Sequence, residues 1–189
     1  MVAPADMLLL ADRAFASGNY DEALELSERL AQSSHDPKAY FTCGLIYEHG
    51  SSKRGQDLAK AYQFFDRLRI EWDSSEGDVG CARIIVNSRD VARIDAARKF
   101  CESAIDRDDF CYAHLILGRI QGEFLGMHRE ARRSFLRAAF KGSAWAMRLY
   151  ASSLMRTKSR LGGAMAHVLV TILSPVYLLL GGLSATRRG

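Results

Sequence analysis

Proline is scarce in this chain. Only three of the 189 residues are proline, and none lies between residues 38 and 174. Proteins rich in sheets and turns use proline often, whereas the interior of a helix excludes it. Because 48% of the residues are hydrophobic and 25% are charged, the composition also excludes a disordered or polytopic membrane protein. The sequence therefore predicts an all-α fold.

Cysteine is scarce as well. The chain has four cysteines and no CxxC pair, far below the density of a disulfide-stapled secreted domain. Without cysteines at ligand spacing, neither a zinc knuckle nor a thioredoxin-type site is indicated. We expect reduced and mostly buried thiols, because a free cysteine behaves as a small core hydrophobe.

Arrangements of reactive side chains are also missing from the sequence. The five histidines form no HExxH motif, and no GxSxG or similar nucleophile motif is present. Three nearby aspartates, Asp106, Asp108 and Asp109, do not match the remaining positions of a calcium loop. We therefore expect a protein that is not an enzyme and that has no catalytic residues, no metal site and no cofactor.

Charge is absent from one long stretch near the C-terminus. Residues 161–183 contain no Asp, Glu, Lys or Arg. As a helix, this stretch would be about 34 Å long, which is enough to cross the hydrocarbon core of a bilayer. We predict that 161–183 is a hydrophobic, transmembrane helix and that 184–189 is a short basic tail. The alternative is a terminal helix packed against the preceding residues. At the other end, we expect no cleavable export signal.

Acidic residues are outnumbered in the region before that stretch. Residues 91–160 hold fourteen basic and seven acidic groups. The excess lies in Arg129, Arg132, Arg133, Arg137, Lys141, Arg148, Arg156, Lys158 and Arg160. We interpret Arg156, Lys158 and Arg160 as a juxtamembrane patch that holds residues 1–160 on the cytoplasmic side. A solvated helix face is the alternative, and no nucleic acid is expected because aromatic platforms are missing.

Small residues recur along the chain with one period. A first series comprises Ala11, Gly44, Ala82, Gly118 and Ala151, and a second comprises Ala23, Ala61, Ala96 and Ala131. An aromatic residue follows the second series one helical turn later, at Phe65, Phe100 and Phe135. Two interleaved series predict a repeated pair of helices, in which a small residue allows close approach and the aromatic ring fills the adjacent space.

Local signals mark the ends of these helices. Asp36 can accept hydrogen bonds from the first turn of a helix that begins with Pro37. Gly18 and Gly50 interrupt two apolar-periodic stretches, as glycines that end helices do. The sequence therefore predicts helix boundaries near residues 18, 36 and 50.

These residues resemble the Sel1-like repeat, a relative of the tetratricopeptide repeat. The best copy is Ala39-x3-Cys43-Gly44-x2-Tyr47-x2-Gly50 followed by Asp57-x2-Lys60-Ala61-x2-Phe64-Phe65. A second copy is Ala113-x3-Leu117-Gly118 followed by Glu130-Ala131-x3-Phe135-x-Arg137-Ala138-Ala139-x2-Gly142. The opening unit, with Gly18, Tyr20 and Ala23, is closer to an ordinary tetratricopeptide repeat, and the resemblance covers about residues 7–157.

The resemblance implies an α/α superhelical solenoid of about four helix pairs in residues 1–160. Members of the family bind peptides or protein surfaces in a concave groove, and bacterial members often serve cell-envelope processes such as exopolysaccharide production. It therefore implies a scaffold for protein partners, including membrane-bound ones, and the predicted segment 161–183 places this scaffold at the cytoplasmic membrane. The alternative is a soluble cytoplasmic adaptor whose hydrophobic tail packs into its own solenoid or into a partner. Tyr40, Tyr112 and Arg148, on the first helix of each pair, are the groove candidates.

Overall fold

The computed structural model describes residues 4–155, which form helices, turns and loops. The nine α-helices of this range are α1 (Pro4–Ala16), α2 (Tyr20–Ser33), α3 (Pro37–His49), α4 (Leu58–Trp72), α5 (Ser75–Asn87), α6 (Ile94–Asp108), α7 (Cys111–Arg119), α8 (His128–Phe140) and α9 (Ala144–Met155). A 3-10 turn, Val91–Arg93, precedes α6, and a π-helical turn, Ile120–Phe124, follows α7. Since no strand occurs among these residues, the predicted all-α fold is confirmed for them.

The predicted C-terminal elements lie outside the described residues. These are the hydrophobic segment 161–183, the basic tail 184–189, and the juxtamembrane residues Arg156, Lys158 and Arg160. Within residues 4–155, no helix has both the length and the apolar character needed to cross a membrane.

The helix boundaries follow the local sequence signals. The Asp36 carboxylate accepts hydrogen bonds from the backbone N–H groups of Lys38, at 2.8 Å, and Ala39, at 3.4 Å, and α3 begins at Pro37. Gly18 and Gly50 follow α1 and α3 with φ values of +79° and +82°, which favour glycine. A Cβ atom at Gly50 would also lie only 2.9 Å from the backbone nitrogen of Gln56. The predicted boundaries at residues 18, 36 and 50 are confirmed.

The chain divides into two compact units, and the division falls within α6. Unit 1 comprises residues 1–104, and unit 2 comprises residues 105–189. In unit 1, α1 packs against α2, α2 against α3, α3 against α4, and α4 against α5. In unit 2, α7 packs against α8, and α8 packs against α9. The first small-residue series falls on α1, α3, α5, α7 and α9, and the second falls on α2, α4, α6 and α8.

Close helix contacts are formed between glycines and phenylalanines, as the repeat pattern predicts. In unit 1, the fully buried ring of Phe65 on α4 lies against Gly44 on α3 and Gly80 on α5. A Cβ atom at Gly44 would be 2.8 Å from this ring. In unit 2, a Cβ atom at Gly118 on α7 would lie 2.6 Å from the ring of Phe135 on α8. These glycines therefore provide the space that the two rings occupy.

The repeat register in α6 differs from the prediction by one residue. Ala97 and Cys101 are fully buried, whereas the predicted Ala96 and Phe100 are only partly buried. The Phe100 ring instead lies under the guanidinium of Arg69, with 4.8 Å between the Cζ atom and the ring centroid. A half-buried ring under a cation is a stable arrangement, so the smaller Cys101 can take the core position.

The cysteines are free thiols in the interior. Cys43, Cys81 and Cys101 are buried, and Cys111 is partly buried. Burial raises the pKa of the Cys81 thiol to about 12 and raises the pKa values of Cys43 and Cys101 as well. The expectation of reduced, mostly buried thiols is confirmed.

Candidate protein-binding surface

Tyr40 is not an exposed groove residue, so this part of the sequence prediction is wrong. The side chain is only 2% exposed. Its ring packs against Phe64 and Trp72, with centroids 5.9 and 5.0 Å apart, and its hydroxyl donates to the Ala31 carbonyl oxygen at 3.3 Å. The reason is helix phase, since Tyr40 lies one turn before Gly44 and therefore faces α4. Tyr40 belongs to the core.

Tyr112 and Arg148 are accessible, as the prediction requires. Tyr112 is 51% exposed near the start of α7, where its ring lies 5.7 Å from that of Phe110. Arg148 is exposed on α9. Both belong to unit 2, and their role in binding stays a prediction.

A surface groove lies between α8 and α9 in unit 2. It has a volume of about 290 Å³. The lining residues are Arg129, Arg132, Arg133, Leu136, Tyr150 and Leu154. The four from α8 recur at helical spacing and form one stripe, and the two from α9 are one turn apart. We call this cavity the arginine groove.

The chemistry of the arginine groove is that of an anion-binding surface with an apolar component. None of Arg129, Arg132 and Arg133 forms an ion pair with any residue that the structure describes. A guanidinium keeps its charge at every physiological pH and binds carboxylates in a bidentate manner. Leu136 is only partly exposed and adds apolar surface beside the cations. The groove can therefore accept carboxylates and aliphatic side chains together.

The equivalent groove of unit 1, between α2 and α3, has the opposite charge. Counted from the buried Ala23 and Ala131, the α2 residues Asp21, Leu24, Glu25 and Glu28 correspond to Arg129, Arg132, Arg133 and Leu136. Counted from Gly44 and Ala151, the α3 residues Cys43 and Tyr47 correspond to Tyr150 and Leu154. All six described residues that line the arginine groove thus have counterparts in unit 1.

The loop before α4 fills the α2–α3 groove of unit 1. Asp21 accepts hydrogen bonds from the Ser51 hydroxyl at 2.5 Å, the Ser52 hydroxyl and the backbone N–H of Lys53 at 3.2 Å. The two serine hydroxyls are the main cause that lowers the pKa of Asp21. The loop is therefore tied to α2 by hydrogen bonds to one carboxylate.

The same loop and Tyr47 of α3 bind a further carboxylate of this groove, that of Glu28. Glu28 accepts hydrogen bonds from the Tyr47 hydroxyl and, at 3.0 Å, from the Arg54 guanidinium. The Tyr47 ring stacks on Phe64 of α4 with centroids 5.7 Å apart, and the Lys60 ammonium lies 5.0 Å from its centroid. Burial, together with the Glu28 carboxylate, raises the pKa of Tyr47. Cations of the loop and of α4 thus lie beside the Glu28 carboxylate of α2 and the Tyr47 ring of α3.

A buried ion pair joins α3 and α5 in unit 1. Glu48, only 4% exposed, accepts from the Arg83 guanidinium at 2.7 Å to its Oε1 atom and at 2.5 Å to its Oε2 atom. The Arg83 Cζ atom also lies 5.5 Å from the centroid of the Phe65 ring. Because the buried Glu48 carboxylate is satisfied by the partly exposed Arg83 guanidinium, the pair has the properties of a structural contact.

A second polar cluster joins two turns of unit 2. Asp109, between α6 and α7, forms an ion pair with Lys141 beyond α8, and its Oδ1 atom lies 2.7 Å from the Nε2 atom of the buried His114. Lys141, and then His114, lower the pKa of Asp109. Among residues 4–155, no three His, Cys, Asp or Glu side chains are grouped as metal ligands.

Comparison with known structures identifies the fold. A thermophilic tetratricopeptide repeat protein from Thermus thermophilus matches with a TM-score of 0.72 and 19% identity, over 97% of this chain and 98% of that chain. The chain has the fold of the tetratricopeptide and Sel1-like repeat proteins. A Sel1 repeat protein from Oxalobacter formigenes matches with a TM-score of 0.62 and 19% identity, over 89% of this chain and 72% of that chain.

A further similar structure is that of MamA from Desulfovibrio magneticus RS-1, with a TM-score of 0.67 and 14% identity over 92% of this chain and 96% of that chain. No protein-family model matches the sequence, and no curated protein matches it. The predicted resemblance to these repeats is thus confirmed by three-dimensional similarity, at the level of the fold.

The arginine groove was missed as a groove at the sequence level, although its cations were counted in the basic excess. The signal is the spacing of Arg129, Arg132, Arg133 and Leu136, which places three cations and one leucine on a single face of a helix. Alignment with Asp21 and Glu25 through the second small-residue series would have shown the reversal of charge.

Proposed function

We propose that this protein is a non-enzymatic protein–protein interaction scaffold held at the cytoplasmic face of the inner membrane. In this proposal residues 1–160 form the repeat domain, and 161–183 cross the bilayer. The scaffold recruits or regulates a partner in a cell-envelope process such as exopolysaccharide biosynthesis. The observation that carries the binding role is the arginine groove, because it gathers three cations that no described carboxylate neutralises.

The arginine groove supports a binding role because its clustered charges do not stabilise unit 2. Like charges on neighbouring positions of a helix repel one another. Arg129, Arg132 and Arg133 lie on adjacent turns of one face of α8. An anionic partner would convert this repulsion into attraction, which is what a binding surface requires.

The membrane part of the proposal is supported by the sequence of the segment that follows. Residues 161–183 carry no charge, and Arg156, Lys158 and Arg160 precede them. Cations on the cytoplasmic side interact with anionic lipid by about 1 kcal/mol each. Residues 161–183 would then place the repeat domain close to membrane-bound partners.

Cell fractionation of the full chain and of a chain that ends at Arg160 tests the membrane part. We expect the full chain in the membrane fraction, released only by detergent, and the shortened chain in the soluble fraction. If the full chain stays soluble without detergent, the anchor is wrong. Measurement of exopolysaccharide in cells that lack the protein tests the proposed process.

A second candidate is a soluble adaptor whose segment 161–183 packs on its own repeats. The observation that favours it is the exposed apolar surface of α9, where Trp145 is 58% exposed and Leu154 is only partly buried. In this case the chain that ends at Arg160 would expose its core and unfold at a lower temperature. Thermal unfolding of both chains separates the candidates, because an anchored domain keeps its stability after truncation.

A further inference from the structure

We infer that the arginine groove is the docking site for an acidic amphipathic helix of a partner protein. This inference rests on the proposed scaffold function and names the chemistry of the partner. The groove occupies the position that α4 and its preceding loop fill in unit 1. The partner segment would therefore lie along α8 and α9 as the loop and α4 lie along α2 and α3.

The geometry of unit 1 shows what kind of segment fits such a groove. There, α4 packs on α3 through the close approach of Phe65 to Gly44. The residue that corresponds to Gly44 on α9 is Ala151, which is fully buried and small. A helix with one apolar face, packed along α9 and α8, matches this shape.

The positive charge of the arginine groove determines the charge that its partner must carry. In unit 1, hydrogen-bond donors of the loop before α4 meet two carboxylates of α2: Asp21 accepts from Ser51, Ser52 and the Lys53 backbone, and Glu28 pairs with Arg54. In the arginine groove the positions of Asp21 and Glu25 are occupied by Arg129 and Arg133. The complementary segment must therefore carry Asp or Glu beside Arg129 and Arg133. At Leu136, which takes the place of Glu28, it needs an apolar side chain.

The chain's own C-terminal residues do not supply these acids. The last acidic residue of the sequence is Glu130, and residues 131–189 contain ten Lys and Arg but no Asp or Glu. If 161–183 filled the groove, the guanidinium groups of Arg129, Arg132 and Arg133 would be covered by uncharged side chains. Covering cations without counterions is unfavourable.

The concave shape favours a protein segment over a lipid surface. The cavity lies between two packed helices, and Leu136 and Tyr150 line it together with the arginines. Lipid headgroups form a flat surface and contact cations that project from a protein. Apolar side chains within a groove are instead contacted by an α-helix that fits between the two groove helices. A helix meets both the cations and the apolar residues.

The binding test uses a fluorescein-labelled synthetic peptide of Leu and Glu, with the leucines on one helical face. Its controls are a scrambled peptide of the same composition and a peptide with Lys in place of Glu. With the full chain in a non-ionic detergent, we expect fluorescence anisotropy to show binding of the helical acidic peptide only. Binding should weaken as the salt concentration rises.

Two charge-matched variants make the test specific. In the triple variant R129Q/R132Q/R133Q we expect the Kd for the acidic peptide to rise by about tenfold or more. The matched control is R13Q/R29Q/R67Q, which removes three exposed arginines of unit 1 and should leave the Kd unchanged. An equal loss in both variants would mean that net charge alone attracts the peptide, and the inference would be overturned.

A photo-crosslinking residue at Leu136 identifies the occupant of the groove in the full chain. Crosslinks to the acidic peptide support the inference, whereas crosslinks to residues 161–183 of the same chain overturn it. Vesicles of phosphatidylcholine with phosphatidylserine provide the lipid arm. Binding to these vesicles that depends on Arg129, Arg132 and Arg133, without binding of the peptide, would also overturn it.

The outcomes are separable from those of the proposed function. If the peptide does not bind but the full chain fractionates with membranes, only the inference fails. If the peptide binds and the full chain is soluble, the groove is established and the membrane anchor fails.

Discussion

The α2–α3 groove of unit 1 and the arginine groove of unit 2 are built from equivalent positions but differ in charge and in contents. The first carries Asp21, Glu25 and Glu28 and is filled by the loop before α4 and by α4 itself. The second carries Arg129, Arg132 and Arg133, and no described carboxylate pairs with them. One repeat geometry thus supports a closed contact in one unit and an accessible one in the other.

The difference shows which positions of a repeat depend on the neighbouring element. Ala23 and Ala131 are buried in both units, because they contact the partner helix of their own pair. By contrast, the position of the buried Leu24 is occupied in unit 2 by the partly exposed Arg132. Whether this position is apolar or charged depends on the segment that packs against the helix pair from outside. Substitutions at such positions therefore distinguish the two grooves.

The largest loss of stability is expected when the phenylalanine ring that contacts two glycines is removed. Phe65 is fully buried between Gly44 and Gly80, so Phe65→Ala leaves a cavity and should reduce the free energy of unfolding by about 3–5 kcal/mol. Phe135 is 7% exposed and approaches Gly118, and Phe135→Ala should cost less. Urea unfolding of both variants measures the difference.

The control for these two variants is Phe140→Ala. Phe140 is 77% exposed, and its removal should change the stability by less than about 0.5 kcal/mol. Equal losses for Phe65→Ala and Phe140→Ala would contradict the assignment of Phe65 to the core.

The next effect concerns the buried ion pair of unit 1. Glu48→Ala leaves the partly exposed Arg83 guanidinium without its partner and should reduce the free energy of unfolding by about 2 kcal/mol. The double variant Glu48→Leu/Arg83→Leu should recover much of this loss, since it leaves no unpaired charge. Chemical denaturation of the single and double variants checks both values. A double variant less stable than Glu48→Ala would contradict the account.

Sequence reasoning succeeded where a contact lies within one helix pair. The series that contains Gly44 and Gly118 predicted the close approach of helices, and Asp36 predicted the start of α3. It failed where the outcome depends on helix phase or on a neighbour. Tyr40 has a polar hydroxyl but faces α4, and the core position of α6 is Cys101 rather than Phe100. A difference of one residue rotates a side chain by about 100°, which a degenerate repeat does not specify.

A direct comparison of the two grooves removes one charge from each. Glu28→Gln weakens the contact of the filled groove with Tyr47 and Arg54 and should cost about 1 kcal/mol, because Glu28 is partly exposed. Arg133→Gln in the arginine groove should change the stability by less than about 0.5 kcal/mol. If Arg133→Gln destabilised the full chain as much as Glu28→Gln, the arginine groove would be occupied within the chain.

The same pair of variants has a spectroscopic readout. Burial and the Glu28 carboxylate raise the pKa of Tyr47, so Glu28→Gln should lower that pKa while burial keeps it above the ordinary value of about 10. Ultraviolet titration of tyrosinate measures the shift, with Arg133→Gln as the control that leaves it unchanged. An unaltered Tyr47 pKa in Glu28→Gln would contradict the hydrogen bond between the two side chains.

The smallest change in stability is expected in the polar cluster of unit 2. There Lys141 is paired with Asp109, whereas the arginines of the groove have no carboxylate partner among the described residues. Lys141, followed by His114, lowers the pKa of Asp109 in the folded chain. The resulting stabilisation is fully present above the ordinary aspartate pKa of about 3.9 and is lost as the pH falls through the lowered value. The stability difference between the wild type and Asp109→Asn should therefore shrink as the pH falls below about 4. Urea midpoints measured across this range check it, with the exposed Asp106 changed to Asn as the control. A difference that stays constant with pH would mean that Lys141 is as unpaired as the arginines of the groove.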